Sequence, residues 1–157
     1  MGKGGKIRVI ARNKKAYKQY EILETIEAGL VLQGSEIKSI RQGKVSFKDS
    51  YVVFRGNEAY LTGFYIGPYE NAGYAGHDPD RDRKLLLHKK EINSLRGKVQ
   101  QKGLTIIPLS VYLKNHLAKV ELALAKGKRL HDQREELKRR AIQRDMAREI
   151  SKYGGKL

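Results

Sequence analysis

The chain contains no cysteine, which rules out disulfides and any thiolate-based metal site. No apolar run approaches the roughly 18 residues that a membrane-spanning helix needs. The basic first residues lack the apolar stretch of a secretory leader. Gly2 is followed by Lys6 where a myristoylation signal wants Ser or Thr. A soluble cytoplasmic protein is expected. Histidine is scarce and scattered: His77, His88, His116 and His131 show none of the i,i+4 spacing of a metal-binding pair. Neither Gly2-Lys3-Gly4-Gly5-Lys6 nor Ala125-Lys126-Gly127-Lys128 fits the spacing of a phosphate loop. No Ser/His/Asp order and no Gly-x-Ser-x-Gly elbow is present. Asp78, Asp80 and Asp82 lack the Gly and distal Glu of a calcium loop, and Arg81 and Arg83 sit between and beside them. They read as a solvated turn with internal ion pairs. No catalytic residue, metal or cofactor is expected.

What the chain does have is positive charge, 33 Lys+Arg against 17 Asp+Glu. Residues 1–20 carry seven basic side chains and no acidic one. Residues 21–125 are nearly balanced, with 15 basic and 12 acidic, and residues 126–157 return to 11 against five. Basic ends on a nearly neutral body are the electrostatic footprint of a nucleic-acid binder. The expected partner is RNA, touched once by the body and once by the tail.

Length and pattern point to one domain. Residues 1–12 are rich in Gly and Lys and are expected to form a flexible arm until bound. Tyr20 to Leu32 reads as a strand, with Ala28-Gly29 as a bulge or bend. Ser35 can cap a short helix carrying Ile37 and Ile40, stopped by Gly43. Tyr51–Phe54 and Ala59–Leu61 flank a turn at Arg55-Gly56-Asn57-Glu58. Tyr65 to Arg83 reads as a long surface loop. Ile92, Leu95 and Val99 have helical spacing before Gly103. Leu104–Leu113 and Leu117–Leu124 form a second hairpin around Asn115, and Val120, Leu122 and Leu124 alternate with Glu121 and Ala123. The fold expected is mainly β with a few helices, a small antiparallel barrel, followed by a basic C-terminal tail.

In the tail, Leu130, Leu137 and Ala141 fall on one side of a helical wheel. Ile142, Met146, Ile150 and Tyr153 fall on nearly the opposite side, a split stripe that buries poorly against one core. Arg144, Arg148 and Lys152 form a basic ridge at i,i+4,i+8. Residues 131–157 are therefore expected to be loosely ordered alone and helical in an RNA groove. A docked C-terminal helix is the alternative.

Several blocks in one order resemble the small protein B (SmpB) family, the SsrA-binding proteins of bacterial trans-translation. They begin with Asn13-Lys14-Lys15-Ala16, Glu27 through Gly34, Glu36-Ile37-Lys38-Ser39 and Gly43-Lys44. Asp49-Ser50-Tyr51, His77-Asp78-Pro79 and Arg83 through Leu87 follow. Lys114-Asn115, Lys119-Val120, and Ala125 through Lys128 leading to Asp132-Gln133-Arg134-Glu135 close the set. The likeness spans about residues 13–135. It implies an OB-like barrel over residues 13–130 that grips the tRNA-like domain of tmRNA and delivers it to stalled ribosomes. The tail would enter the decoding centre and empty mRNA channel and become helical there, and the protein would be a monomer in complex with RNA. The body contacts implied are Asn13, Lys14, Glu27, Leu86, Lys119 and Gly127, with Lys126 and Lys128 suited to phosphate. His131, Asp132 and Arg134 belong to the tail motif, where Gln133 departs from the family's usual Lys.

Two other readings fit the residues: a structural ribosomal protein with basic extensions, and an RNA-processing enzyme using the acids at 78–82. The charge layout makes a prediction common to any phosphate-binding mode. If about six phosphates are neutralised, RNA affinity falls on the order of a thousandfold between 50 and 200 mM salt. Filter-binding isotherms across that range check it.

Overall fold

The computed structural model of the chain describes residues 6–70, 76–100 and 103–128. The chain divides into two compact units, Met1–Gly127 and Lys128–Leu157, and all but Lys128 of the second lies outside the described residues. The elements of the first unit run β1 (Ile7–Arg12), α1 (Ala16–Gln19), β2 (Tyr20–Leu30), α2 (Gly34–Arg41), β3 (Val45–Ser46), β4 (Tyr51–Arg55) and β5 (Glu58–Thr62). They continue with β6 (Tyr65–Ile66), β7 (Arg83–Leu86), α3 (Lys89–Val99), β8 (Leu104–Lys114) and β9 (Leu117–Gly127). Among the described residues no helix is long and apolar enough to cross a membrane.

Seven strands form one antiparallel sheet in the order β1-β8-β9-β2-β7-β5-β4, and β3 pairs with β6 separately. The expected OB-like barrel is thus present in open form. The sheet curls until β4 lies against β8, but no ladder joins β1 to β4. Val120, Leu122 and Leu124 point into the curl, where they meet Ile40, Leu61, Phe64, Leu85 and Leu95. Ala123 and Ala125, on the other face of β9, are buried too, under α1 with Ala16, Ile107 and Leu109. Small side chains there let a four-residue helix lie close to the sheet.

Two bulges shape the long strands. In β8 the register shifts between Pro108 and Ser110, as a proline without an N–H requires. In β2 the shift lies between Ile22 and Glu24, so Leu23, not the expected Ala28-Gly29, is the irregular position. Gly29 pairs in register with both Lys119 and Leu86, at the point where β2 gains β7 as its second neighbour. Both expected hairpins are present. Gly56 takes a φ of 61° as the first residue of the β4–β5 turn. Asn115 and His116, at φ 51° and 69°, turn β8 into β9.

Four further expectations are corrected. Ile7–Arg12, placed in a flexible arm, is an edge strand on β8; residues 1–5 are not described. Ser35 does not cap α2, since Gln33 precedes the helix and the Ser35 hydroxyl bonds His77 Nδ1 at 2.8 Å. The stretch from Tyr65 to Arg83 is not all surface: Ile66 and Arg83 have no exposed area, and Ile66 pairs with Val45. Nor do Arg81 and Arg83 pair with the neighbouring acids. Arg83 Nε donates to Glu36 Oε2 at 2.7 Å and Arg81 Nη2 to Glu36 Oε1 at 2.6 Å. Asp82 is taken instead by Arg55 and Thr62, both at 2.6 Å, and Asp80 by Lys48 at 3.5 Å.

Glu36 is fully buried. Burial alone would raise its pKa, but hydrogen bonds from Arg81, the Gln33 N–H and Arg83 overcome that and hold it below the ordinary 4.5. Its contribution to stability is therefore complete above about pH 4.5 and is lost as pH falls through the folded-state pKa. Glu36→Ala should cost about 3–5 kcal/mol by stranding two guanidinium groups. Glu36→Gln should flatten the acid limb of the stability profile, and urea unfolding between pH 3 and 7 measures both.

Candidate nucleic-acid interface

Alternation along β9 sends Leu117, Lys119 and Glu121 to the outer face of the sheet, on the side where α1 covers only Ala123 and Ala125. The registers extend that face into rows across five strands. One row runs Leu86 (β7), Gly29 (β2), Lys119 (β9), Tyr112 (β8), Val9 (β1). The next runs Glu27, Glu121, Ser110, Arg12, and a third runs Leu117, Lys114, Ile7. Large apolar side chains lie open here: Leu117 is 62% exposed, Ile7 59%, Leu86 57% and Val9 43%. Exposed apolar groups interleaved with lysines on one face mark a binding surface rather than a solvated one.

Leu86 owes its position to Gly29. A Cβ at residue 29 would stand 3.3 Å from Leu86 Cβ and Cδ1, so Leu86 rests over bare backbone with its outer side open. Glu27 faces Glu121 directly across the β2–β9 ladder, an unfavourable like-charge pair. Two groups on β8 relieve it. The Tyr112 hydroxyl donates to Glu27 Oε2, and Lys114 Nζ lies 3.8 Å from Oε1. Burial, then this hydrogen bond and the nearby carboxylates, raise the Tyr112 pKa well above its usual range. The phenol stays a donor and fixes the carboxylate's orientation. Lys119 forms no ion pair among the described residues.

Of the residues singled out from the sequence, Glu27, Leu86 and Lys119 thus come together. Asn13 has a structural duty: its N–H donates to Leu109 O at 2.7 Å and its Nδ2 to Pro108 O at 2.9 Å, pinning the β8 bulge. Asn13 also lines a cleft of about 360 Å³ with Arg12, Lys14, Lys15 and Lys48. Gly127 stands apart, paired with Tyr20 at the far end of β9, about 27 Å from Lys119 at strand rise. Lys126 beside it is exposed and Lys128 half-buried. His131, Asp132, Arg134, Arg144, Arg148 and Lys152 lie outside the described residues. Tyr112 was not singled out from the sequence, and Lys114 was quoted in a block of the resemblance without a role at the site. Their outward direction was readable from alternation, but their partner is some 85 residues away.

An open, curled antiparallel sheet with a basic and apolar outer face defines a nucleic-acid-binding protein of β type. The family described as SmpB protein matches residues 10–152. The SsrA-binding protein of Solidesulfovibrio magneticus is 59% identical over 146 residues, covering 93% of this chain and 95% of its own. That of Aquifex aeolicus is 59% identical over 151 residues, covering 96% of each. A solved structure described as "tmRNA-SmpB: a journey to the center of the bacterial ribosome" superposes with a TM-score of 0.67 at 50% identity, covering 81% of this chain and 93% of its own. The chain belongs to the SmpB protein family.

Exposure divides the residues of this face by how much they add to stability. Leu86→Ala and Lys119→Ala should leave the unfolding free energy within about 0.5 kcal/mol of wild type. Ala123→Leu, beneath α1, should overpack and cost about 1–3 kcal/mol. Urea titrations of the three variants check the contrast.

Proposed function

We propose that this protein binds the tRNA-like domain of tmRNA through the sheet's outer face and delivers it to stalled ribosomes for trans-translation. It works by binding, as a monomer with its RNA. One observation carries the reading: Leu86, exposed over Gly29, shares a row with Lys119 and neighbours the Tyr112-held Glu27, in a chain 59% identical to SsrA-binding proteins. The chemistry suits an RNA with unpaired bases. Leu86 packs on an exposed base, and covering a leucine contributes up to about 2 kcal/mol. The fixed Glu27 carboxylate accepts from a base amino group or a 2′-hydroxyl. Lys119 and the cleft at Lys14 neutralise phosphates. Gly127, with Lys126 and Lys128, brings backbone and charge to the RNA at the other end of β9. The body over residues 13–130 recognises tmRNA. The tail over 131–157 becomes helical in the decoding centre and mRNA channel, with His131, Asp132 and Arg134 near the centre and Arg144, Arg148 and Lys152 along the channel.

Fluorescence anisotropy with a labelled tRNA-like domain, excess ordinary tRNA as competitor, and residues 1–157 against 1–130 tests the division. Both forms should bind within about threefold of each other despite the competitor, while only the full chain supports peptide tagging on stalled ribosomes. Leu86→Ala should weaken binding on the order of tenfold. Binding erased by ordinary tRNA, or lost with the tail, would overturn the reading.

A further inference from the structure

Lys6, Arg8 and Arg41 surround a cleft of about 590 Å³ that the outer face does not include, closed by Leu113 and by the Asn115-His116 turn. Arg8 pairs opposite Leu113 and so points to the other side of β1 from Ile7 and Val9. Its Nη2 donates to Arg41 O at 3.0 Å, at the end of α2. The Asn115 N–H donates to Lys6 O at 3.3 Å, fastening the turn to the segment before β1. Three formal cations therefore converge on one concavity with no carboxylate in its lining. Among the described residues none of the three forms an ion pair.

Like charges gathered in one concavity repel, and an anion bound there relieves the repulsion. Elsewhere on the body Lys44, Lys48, Arg55, Lys84, Lys98 and Lys114 each have a carboxylate within 4 Å. The ordinary duty of Arg8, holding the C-terminal carbonyl of α2, uses one Nη2 hydrogen and leaves the rest of the guanidinium fork. Nor does it account for Lys6 or His116. A fixed guanidinium, a second one at hand and a lysine above an apolar floor suit a phosphodiester backbone. The exposed His116 ring beside them suits a stacked base.

We infer that this cleft is a second RNA-backbone site, reached around the free edge of β1 and separate from the Glu27–Leu86–Lys119 face. The inference rests on the RNA-binding reading above and adds a site to it. The backbone comes either from the RNA already on the outer face, wrapping over the edge strand, or from a second RNA, that of the ribosome.

The test uses the full chain and two double variants, Arg8→Gln with Arg41→Gln, and Lys6→Gln with His116→Gln. The second pair leaves the Arg8–Arg41 bond to α2 intact. Affinity for the labelled tRNA-like domain is measured from 50 to 200 mM salt, and retention on purified ribosomes is measured in parallel. If one RNA wraps the edge, each pair weakens binding of the domain about tenfold, and loss of two phosphate contacts by the arginine pair flattens its salt slope by about 1.5. If the ribosome supplies the backbone, binding of the domain stays unchanged and ribosome retention falls at lower salt than for wild type. Wild-type values for both pairs in both assays would overturn the inference and leave the proposed function standing. Should the wild type prefer the tRNA-like domain no more than ordinary tRNA, the proposed function fails. The salt slopes of the variants on that tRNA then decide the inference alone.

Discussion

A carboxylate cut off from water must recover its hydrogen bonds from the protein, and Glu36 does so from three directions. Arg83 and Arg81 donate from the start of β7 and the residue pair before it, while the Gln33 N–H closes the first turn of α2. Arg83 also donates from Nη1 to the Phe64 carbonyl and from Nη2 to the Asp78 carbonyl. One buried ion pair therefore joins α2, the segment after β5 and the first residue of β7. Strand period does the rest. With Arg83 anchored inside, Leu85 must follow it into the core and Leu86 must point out. A slip of one residue would bury Leu86 and empty the outer row.

The same pairing principle sorts the surface. Within the described body, most acidic side chains from Glu24 to Asp82 are bound to a particular lysine or arginine, which makes much of the sheet electrostatically quiet. Among the described residues Lys6, Arg8, Arg12, Lys14 and Lys15 have no such partners, and they lie in order from the residue before β1 to the turn into α1. Part of the unpaired positive charge, at Arg12, Lys14 and Lys119, thus lies on or beside the apolar and hydrogen-bonding face. Charge alone would attract any polyanion. On the proposed function, the Leu86, Gly29 and Glu27 group would add contacts that particular unpaired nucleotides satisfy.

Much of the fold was legible in the chain because it depends on neighbours in sequence. Val120, Leu122 and Leu124 declare a strand by alternation. Gly56 and Asn115 declare their turns by the backbone they tolerate, and Ile92, Leu95 and Val99 declare a helix by their spacing. The misreadings share a different cause. Ile7–Arg12 looked like a loose arm because an edge strand needs only a partner ladder, and β8 is some hundred residues further on. The run from Tyr65 to Arg83 looked like surface because its arginines are charged, and a charge can be buried only when a distant Glu36 receives it. Ser35 looked like a cap, but its hydroxyl found His77 across the fold.

The candidate site divides in the same way. Sequence by itself determined the supply of parts: a balanced body between basic ends, alternating strands, glycines where the backbone must turn or be approached, and no cysteine. It also carried the resemblance that pointed to Glu27, Leu86 and Lys119. Only the tertiary structure decided that these three lie on adjoining rows, that Tyr112 aims Glu27, and that Asn13 is tied to a bulge. It alone showed that Arg8 turns away to a cleft of its own. Local patterns are set by the chain's short periods, whereas rows, ion pairs and clefts depend on registers between strands far apart in sequence, which no short period encodes.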